Sequence, residues 1–388
     1  MNSLVLSLRP AYPPDNGRER RVWEECRQLA TYGDVYLAAP SPETTIPHES
    51  IQYVPLTSRV LTDRRTAVQA WNASHLLGRY NVYHRLLSRH VRRLVERQSV
   101  PFDIVTSDSP QLATAAGDLA ERHGARFLLS KHNATYTLLK EFLEPTPLPG
   151  FLQDHAVSAL WRLEQDTIER ADAVMFQSDA DRELFDVPER TIAATTPNGT
   201  NYWTIREGGN PAAIRGRLGI APRRFVCVFI GSYDYFANRV AAEVISEELA
   251  PALPDVAFLL VGRDPPSVTA DNVYAPGFVD DLPGVLTVAD VALCPLQSGS
   301  GTKLKMMDYL AAGLPIVTTE TGAIGIDLED GTTALVRDVE EFVPAIERLR
   351  DSPHLRSRLW ANASELGKQY DWSSVLAPYD RIVEELFE

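Results

Sequence analysis

Short runs of β-branched and apolar residues recur along the whole chain, and segments of helical period fill the intervals between them. Strands that alternate with helices in this way predict parallel β-sheets covered by helices on both faces. The first half contains predicted strands at residues 3–8, 34–39, 51–56, 102–107, 125–131 and 171–177. The second half contains predicted strands at residues 225–231, 257–261, 273–279, 291–296, 316–319 and 334–336.

Predicted helices, in which apolar residues recur every three or four positions, separate these strands. They lie at residues 18–31, 75–98, 111–122, 154–170, 238–249, 282–288, 303–312 and 339–349. A polar, glycine-containing stretch at 197–209 divides the two sets. We therefore predict an α/β protein with two doubly wound, Rossmann-like domains at 1–197 and 198–372. A C-terminal helix is predicted at 373–388, and packing back on the N-terminal domain is one option for it.

Composition excludes several classes of protein. The 388 residues carry a formal net charge of −14, which argues against a nucleic-acid-binding protein because phosphate backbones are held by positive surfaces. Three widely spaced cysteines, Cys26, Cys227 and Cys294, lie in apolar contexts and predict buried thiols in a reducing compartment. No apolar stretch approaches the roughly 18 residues of a membrane span, and we expect no signal peptide. The expected location is cytoplasmic.

A glycine-rich turn with the sequence SGSGTKLK, at residues 298–305, has the composition of an anion-binding site. Gly299 and Gly301 let the backbone approach a ligand, and Ser300 or Thr302 is placed to cap the helix that follows. The free N–H groups at the start of that helix would then face an anion. An ordinary turn before an ordinary helix is the alternative.

Two lysines strengthen the case for an anion. The chain has only five lysines against 33 arginines, and Lys303 and Lys305 both lie at this turn. Their charge next to the positive end of a helix dipole suits a diphosphate. Asp308, further along the same helix, is a candidate acceptor of hydrogen bonds from ribose hydroxyls.

Read in order, the segments of the second half resemble nucleotide-sugar-dependent glycosyltransferases of the GT-B fold, especially the retaining group called glycosyltransferase family 4. The similar segments are PNG at 197–199, FIGSYDYFANR at 229–239, LLVGR at 259–263, GFVDDL at 277–282, ADVALCPL at 289–296 and the glycine turn with its helix. In the first half the likeness rests on PPDNGRERR at 13–21 and SKHNATY at 130–136. The resemblance implies a GT-B architecture, in which an acceptor-binding domain faces a nucleotide-sugar-binding domain across a cleft.

The resemblance also marks where this chain departs from the family. Asp308 stands where a ribose-binding glutamate is usual, and Ser300 stands where a glutamate near the donor sugar is common. Ser300 agrees instead with a subgroup that reads GSGTKLK at this place. Ser232 and Asn238 occupy positions at which many members carry an arginine and a lysine that grip the diphosphate. We hypothesise that Lys303 and Lys305, helped by Thr302, replace those two cations.

Further site residues follow from the same resemblance. Phe278 and Val279 lie in the segment whose backbone reads the nucleotide base, and Arg263 follows a glycine where base or phosphate contacts occur. Core packing is the alternative for Phe278, and a solvated loop position is the alternative for Arg263. In the first half, Gly17 opens a helix able to face a phosphate or an acceptor, with a simple turn as the alternative. His132 ends a predicted strand and resembles the family histidine near the donor sugar, although a lone histidine is often structural.

An arginine-rich segment at 59–97 carries nine arginines against two acidic residues. Arg85, Arg89, Arg92 and Arg93 recur at helical spacing and predict one basic face, which is either simply solvated or a surface for anionic lipid head groups or a lipid-phosphate acceptor. The apolar stretch at 138–161 is a candidate for additional interfacial contact.

Together these features imply a glycosyltransferase of polysaccharide or glycolipid biosynthesis, with His132, Lys303 and Asp308 as the catalytic candidates. The expected reaction transfers a sugar from a nucleotide-diphosphate sugar to a hydroxyl of a glycan or lipid-linked acceptor, with retention and with neither metal nor cofactor. The expected location allows peripheral contact with the inner face of the plasma membrane. A nucleotide-sugar 2-epimerase of the same fold and a degenerate sugar-binding or scaffold protein are the rival interpretations.

Overall fold

The computed structural model describes residues 1–14, 17–40, 45–56, 91, 93, 95, 100–299 and 302–388. Three parts of the predictions therefore lie outside the described residues: Ser300 with Gly301, the basic residues Arg85, Arg89 and Arg92, and most of the helix predicted at 75–98. The chain forms two compact units. Unit 1 consists of Met1–Thr196 and Leu376–Glu388, and unit 2 consists of Pro197–Val375.

Unit 1 is built on a parallel seven-stranded sheet in the order β3-β2-β1-β4-β5-β6-β7. Its strands are β1 (Asn2–Leu6), β2 (Asp34–Ala39), β3 (Ile51–Pro55), β4 (Ile104–Ser107), β5 (Arg126–Lys131), β6 (Ala173–Phe176) and β7 (Ile192–Thr195). The sequence pattern did not predict β7, because its four residues are all half-buried and include only one large apolar side chain, that of Ile192. Chain order reverses between β1 and β4, and this switch point is where doubly wound sheets bind ligands.

The described helices of unit 1 cover this sheet. They are α1 (Gly17–Leu29), α2 (Pro110–His123), α3 (Thr135–Leu143), α4 (Gly150–Arg170) and the short α5 (Asp179–Arg182). Local chemistry sets the bounds of α2: the Ser109 hydroxyl accepts a hydrogen bond from the Leu112 amide, and Gly124 ends the helix with φ +64°. Helices α3 and α4 form a hairpin with its own small core of Leu139, Leu143, Ala156, Leu160 and Leu163.

Unit 2 is built on a parallel six-stranded sheet in the order β10-β9-β8-β11-β12-β13. Its strands are β8 (Phe225–Ile230), β9 (Val256–Val261), β10 (Val273–Gly277), β11 (Val291–Cys294), β12 (Ile316–Thr318) and β13 (Leu335–Val336). Strands β9 and β11 are buried along their whole length, as expected for a sheet with helices on both faces. Here the switch point lies between β8 and β11.

The described helices of unit 2 are α6 (Tyr202–Glu207), α7 (Pro211–Leu218), α8 (Phe236–Glu243), α9 (Ala250–Ala252), α10 (Leu282–Val288), α11 (Leu304–Ala312), α12 (Glu320–Ala323), α13 (Phe342–Asp351), α14 (Pro353–Gly367) and α15 (Trp372–Val375). The helix predicted at 238–249 changes to a π-helical stretch at Val244–Leu249 between α8 and α9. Pro251 accounts for an irregular end to this helix, since it has no N–H to donate.

The helix predicted at 373–388 is two helices. Helix α15 ends at Val375, and α16 (Ala377–Phe387) begins after Leu376 with a proline in its first turn. Helix α16 belongs to unit 1, where Asp380 accepts hydrogen bonds from Gln28 (2.7 Å) and from the Tyr32 hydroxyl. Among the helices that the structure describes, none combines the length and apolar content of a bilayer crossing.

Candidate active site

The glycine turn leaves β11 at the switch point of unit 2. Gly299 has φ +111°, a backbone conformation that favours glycine, and a Cβ at this position would lie 2.8 Å from the Tyr235 hydroxyl. The Lys303 ammonium donates to the Gly299 carbonyl over 3.0 Å, which closes the turn. Tyr235 was not predicted as a site residue, because only the fold brings the loop after β8 against the turn after β11.

Helix α11 begins one residue later than predicted, with Lys303 at the N-cap and without a capping side chain among the described residues. The prediction that Thr302 caps this helix is wrong. The Thr302 hydroxyl instead accepts a hydrogen bond from the Asn198 side-chain amide over 2.7 Å. An N-terminus without a side-chain cap, next to two lysines, retains the capacity to bind an anion.

Lys305, Asn238 and Ser232 lie together in unit 2. The Lys305 ammonium donates to Asn238 Oδ1 over 2.7 Å, and the Asn238 amide nitrogen donates to the Ser232 carbonyl over 2.7 Å. The same ammonium lies 3.8 Å from the centroid of the Phe229 ring. The cation of Lys305 is therefore adjacent to the side chain at position 238, where the family resemblance implies that a lysine is usual.

Desolvation by burial, with a smaller contribution from the charge of Lys303, lowers the pKa of Lys305 to about 8. Burial raises the pKa of the neighbouring Cys294 thiol, so that this group stays neutral. Lys305 is therefore mostly protonated at pH 7 and loses its charge as the pH rises above about 8.

Asp308 lies on the buried face of α11 and is only 2% exposed. Its carboxylate accepts a hydrogen bond from the Thr200 hydroxyl over 2.6 Å. The ribose contact stays a prediction, and in the structure Asp308 joins α11 to the segment that opens unit 2.

Arg263 and Phe278 follow neighbouring strands, β9 and β10. The Arg263 guanidinium lies 5.6 Å from the centroid of the Phe278 ring. Core packing, the alternative for Phe278, is wrong because the side chain is 51% exposed, and Val279 beside it is half-buried.

In unit 1, Gly17 is the first residue of α1, and the next residue reaches the end of β4. Arg18 Nε donates to Asp108 Oδ2 over 2.7 Å, and the Asp108 side chain is 2% exposed. Asp108 Oδ1 has no hydrogen-bond partner among the described residues. Sequence reasoning missed Asp108, whose only signal was a polar residue directly after a predicted strand.

His132 follows β5 and is buried. Neither of its ring nitrogens has a hydrogen-bond partner in the described part of the chain. Burial, followed by the charges of Arg21 and Arg18, holds the pKa of His132 well below its usual value. A neutral imidazole with unsatisfied nitrogens is suited to bind hydroxyl groups, because one nitrogen donates and the other accepts.

The position of His132 is fixed from both sides by Glu164. The carboxylate accepts a hydrogen bond from the ammonium of Lys131 over 2.7 Å in a buried ion pair. It also accepts from the amides of Thr135 (3.0 Å) and Tyr136 (2.9 Å), which start α3. Glu164 therefore holds the residues before and after the segment 132–134.

Of the predicted basic face only Arg93 is described, and it is an exposed helical residue. The apolar stretch at 138–161 forms most of the α3–α4 hairpin, from which Phe142 and Phe151 protrude with exposures of 69% and 71%.

Comparison with known proteins shows which proteins this chain resembles in sequence and in fold. Residues 224–352 match the family model described as Glycosyl transferases group 1. The sucrose-phosphate synthase of Thermosynechococcus elongatus has a TM-score of 0.71 and 16% identity, with coverage of 100% of this chain and 99% of that one. HepE from Anabaena, in complex with UDP-glucose, has a TM-score of 0.67 and 13% identity, with coverage of 100% and 99%.

A phosphatidyl-myo-inositol mannosyltransferase of Mycolicibacterium smegmatis is 28% identical over 170 residues, which make up 40% of this chain and 44% of that protein. The chain therefore matches less than half the length of this relative. These findings confirm the α/β fold with two Rossmann-like domains and the resemblance to GT-B glycosyltransferases. The GSGTKLK subgroup stays a prediction.

Proposed function

We propose that the protein transfers a glycosyl group from a nucleotide-diphosphate sugar to an acceptor hydroxyl. The observation that carries this proposal is the N-terminus of α11, which has no side-chain cap among the described residues and lies beside the ammonium groups of Lys303 and Lys305. Helix N-termini with adjacent cations bind phosphates. The structure of HepE with UDP-glucose supports a nucleotide-sugar donor.

The reaction breaks the bond between the anomeric carbon and the diphosphate oxygen and forms a bond from that carbon to the acceptor oxygen. Negative charge grows on the departing diphosphate, and donors already aimed at that position stabilise the transition state. We assign this role to the N–H groups of α11, to Lys303 and to Lys305, without a metal ion or cofactor. The proton of the acceptor hydroxyl passes to the departing phosphate, and the anomeric configuration is retained.

His132 orients a sugar hydroxyl in this proposal. Its low pKa makes the imidazole neutral at physiological pH, so it accepts and donates hydrogen bonds without carrying a charge. Its two unsatisfied nitrogens gain partners when a hydroxylated ligand binds, which offsets the cost of burying them. Asp308 contributes by holding α11 against Thr200 and by its predicted contact with ribose.

The proposed acceptor is a glycan or a lipid-linked hydroxyl compound. Two features support a lipid: the name of the mycolicibacterial relative, and the exposed Phe142 and Phe151 at the end of the α3–α4 hairpin. The net charge of +7 at 59–97 adds attraction for acidic head groups. On this basis we propose a cytoplasmic enzyme with peripheral contact to anionic membranes.

A nucleotide-release assay tests the function. The full chain is incubated with a panel of nucleotide sugars, starting with UDP-glucose, with and without phosphatidylinositol vesicles or soluble sugar acceptors. We expect release to rise when the correct acceptor is present and a glycosylated product to form. A sugar epimerised at C2, either free or still attached to the nucleotide, would indicate the epimerase instead, and binding without turnover across the panel would indicate a scaffold.

Lys305 gives donor binding a predictable pH dependence. Its charge attracts the diphosphate when it is protonated, and with a pKa of about 8 this attraction is present at pH 7 and lost as pH rises. The groups around it are Lys303, the neutral thiol of Cys294 and the amide of Asn238. Titration with UDP at pH 7 and pH 9.5 is expected to show an affinity several-fold weaker at the higher pH. In Lys305→Arg this loss should disappear, since arginine stays charged, and an unchanged loss there would assign the titration to another group.

A further inference from the structure

Lys131 and Glu164 form an ion pair that is buried at the end of β5. Their side chains are 7% and 1% exposed, and the ammonium lies 2.7 Å from Glu164 Oε1. Desolvation offsets much of the attraction within a buried pair, and apolar residues of similar size often serve the fold equally well. Stability alone therefore does not account for these two charges, which lie directly beside His132.

The Glu164 carboxylate also holds the start of α3. Ala134, at the N-cap of that helix, has no polar side chain, so the carboxylate from α4 takes the place of a capping residue. Its Oε1 accepts from the Thr135 amide over 3.0 Å, and its Oε2 accepts from the Tyr136 amide over 2.9 Å. Oε1 thus binds both the side chain of Lys131 and the backbone of Thr135.

The residues between these two contacts begin with His132, whose ring is not oriented by hydrogen bonds of its own. Neither ring nitrogen has a hydrogen-bond partner within the described ranges. The Glu25 carboxylate lies 3.9 Å from Nε2, which is beyond hydrogen-bond distance. The direction of the imidazole is therefore set by packing and by the backbone that carries it. One oxygen of Glu164 anchors both ends of that backbone segment.

We infer that Glu164 is a positioning residue for glycosyl transfer, because it holds the chain on both sides of His132 and keeps the imidazole aimed at the sugar hydroxyl. The inference rests on the proposed function, in which His132 orients that hydroxyl. Glu164 touches no ligand in this role and acts through the histidine. A displacement of about 1 Å in a positioning group can cost roughly 100-fold in rate, so losing these contacts should slow transfer.

Two double variants isolate the hydrogen bonds to α3. Lys131→Met with Glu164→Leu, the leucine variant, removes both charges, so no buried charge is left uncompensated. Lys131→Met with Glu164→Gln, the glutamine variant, removes the same charges but keeps a side-chain oxygen that can accept from the amides of α3. Glu169→Gln, at an exposed position on the same helix, is the control. Urea denaturation of the full chain checks that each variant folds.

The ring signals of His132 in NMR spectra, assigned with His132→Gln, report its environment directly. In the wild-type chain burial, followed by the charges of Arg21 and Arg18, holds the pKa of His132 well below its usual value. The charged groups around the ring in the described part of the chain also include Glu25, and the double variants change none of the three. In the leucine variant we expect water to reach the ring, so that the pKa of His132 rises toward the ordinary value of 6.5. In the glutamine variant and in Glu169→Gln it should stay as in the wild type.

Turnover gives a second readout, with the donor and acceptor that the nucleotide-release assay identifies. We expect kcat to fall at least tenfold in the leucine variant and to stay within threefold of wild type in the glutamine variant. The affinity for UDP should stay within twofold in both, because the proposed diphosphate contacts lie in unit 2. Loss of UDP affinity in step with kcat would indicate general damage to the protein and would overturn the inference.

Two NMR results would also overturn it. One is a leucine variant in which His132 titrates as in the wild type, and the other is an equal shift in both double variants, since the oxygen that accepts from α3 would then not matter. If the leucine variant does not fold, Thr135→Pro replaces it, because proline is well tolerated at the first position of a helix and removes one of the two amides. The proposed function fails by a different measurement, the absence of nucleotide release across the donor panel, so the two failures can be told apart.

Discussion

Replacing Lys305 by methionine is expected to weaken UDP binding at least tenfold, which corresponds to about 1.4 kcal/mol. The reason is geometric as well as electrostatic. The Lys305 ammonium lies within hydrogen-bond distance of Asn238, and charge-assisted hydrogen bonds to phosphate are among the stronger polar contacts in proteins. Methionine keeps the length and apolar character of the side chain, so the variant removes the charge with little change in packing. Isothermal titration at pH 7 measures the effect.

Two further variants make this test specific. Lys368→Met removes a lysine whose partner is the exposed Glu365, and it should leave UDP affinity unchanged. The double variant Lys305→Met with Asn238→Lys moves the positive charge to position 238, the hydrogen-bond partner of Lys305 in the wild-type chain. This is the position where the family resemblance implies a lysine. We expect the double variant to recover most of the lost affinity. A Lys305→Met protein that binds UDP within threefold of wild type would refute the hypothesis that Lys305 replaces the lysine that is usual at position 238.

The contacts of the anion site show which of its features could be predicted from the sequence and which could not. The glycine turn, the two lysines and the altered positions Ser232 and Asn238 are visible as a linear pattern, and the order of strands predicts that they meet at one sheet edge. The pattern does not specify which side chains of α11 face the protein interior and which face a ligand. Asp308 is buried against Thr200, 108 residues away, and nothing local distinguishes this position from one that faces a ligand.

In unit 1, even fewer of the contacts around the candidate site residues could be predicted from the sequence. The strand pattern placed His132 at the end of β5, but its chemistry depends on partners remote in sequence. Asp108 meets Arg18 across 90 residues, and Arg21 meets Thr196 across 175. Burial of Glu25 and Arg21 could not be predicted from their spacing, because i,i+4 pairs of opposite charge are also typical of solvated helix faces. Contacts of this kind follow from the packing of α1 on the sheet, which only the folded chain specifies.

Arg21 carries the largest stability effect that we expect in unit 1. Its side chain is 0% exposed, and its Nε donates to Glu25 over 2.8 Å. The other guanidinium nitrogens donate to the Thr196 carbonyl (2.8 Å) and hydroxyl (2.6 Å), which joins α1 to the end of β7. Removing one partner of a buried ion pair leaves the other charge uncompensated, and such changes cost about 3–5 kcal/mol. Arg21→Met is expected to lower the free energy of unfolding by that amount in urea denaturation of the full chain.

A matched variant and measurements at two pH values separate the electrostatic cost of Arg21→Met from the cost of lost packing. Arg27→Met, on the same helix, removes an arginine that is half-exposed and paired with Glu24, and it should cost less than about 1 kcal/mol. Burial raises the pKa of Glu25, so its ionised form is the costly one, and that cost is absent at low pH and grows as pH rises through the pKa. The deficit of Arg21→Met should therefore be larger at pH 8 than at pH 5, and adding Glu25→Gln should recover part of it at pH 8. If Arg21→Met cost no more than Arg27→Met at either pH, the ion pair between Arg21 and Glu25 would not be desolvated in solution.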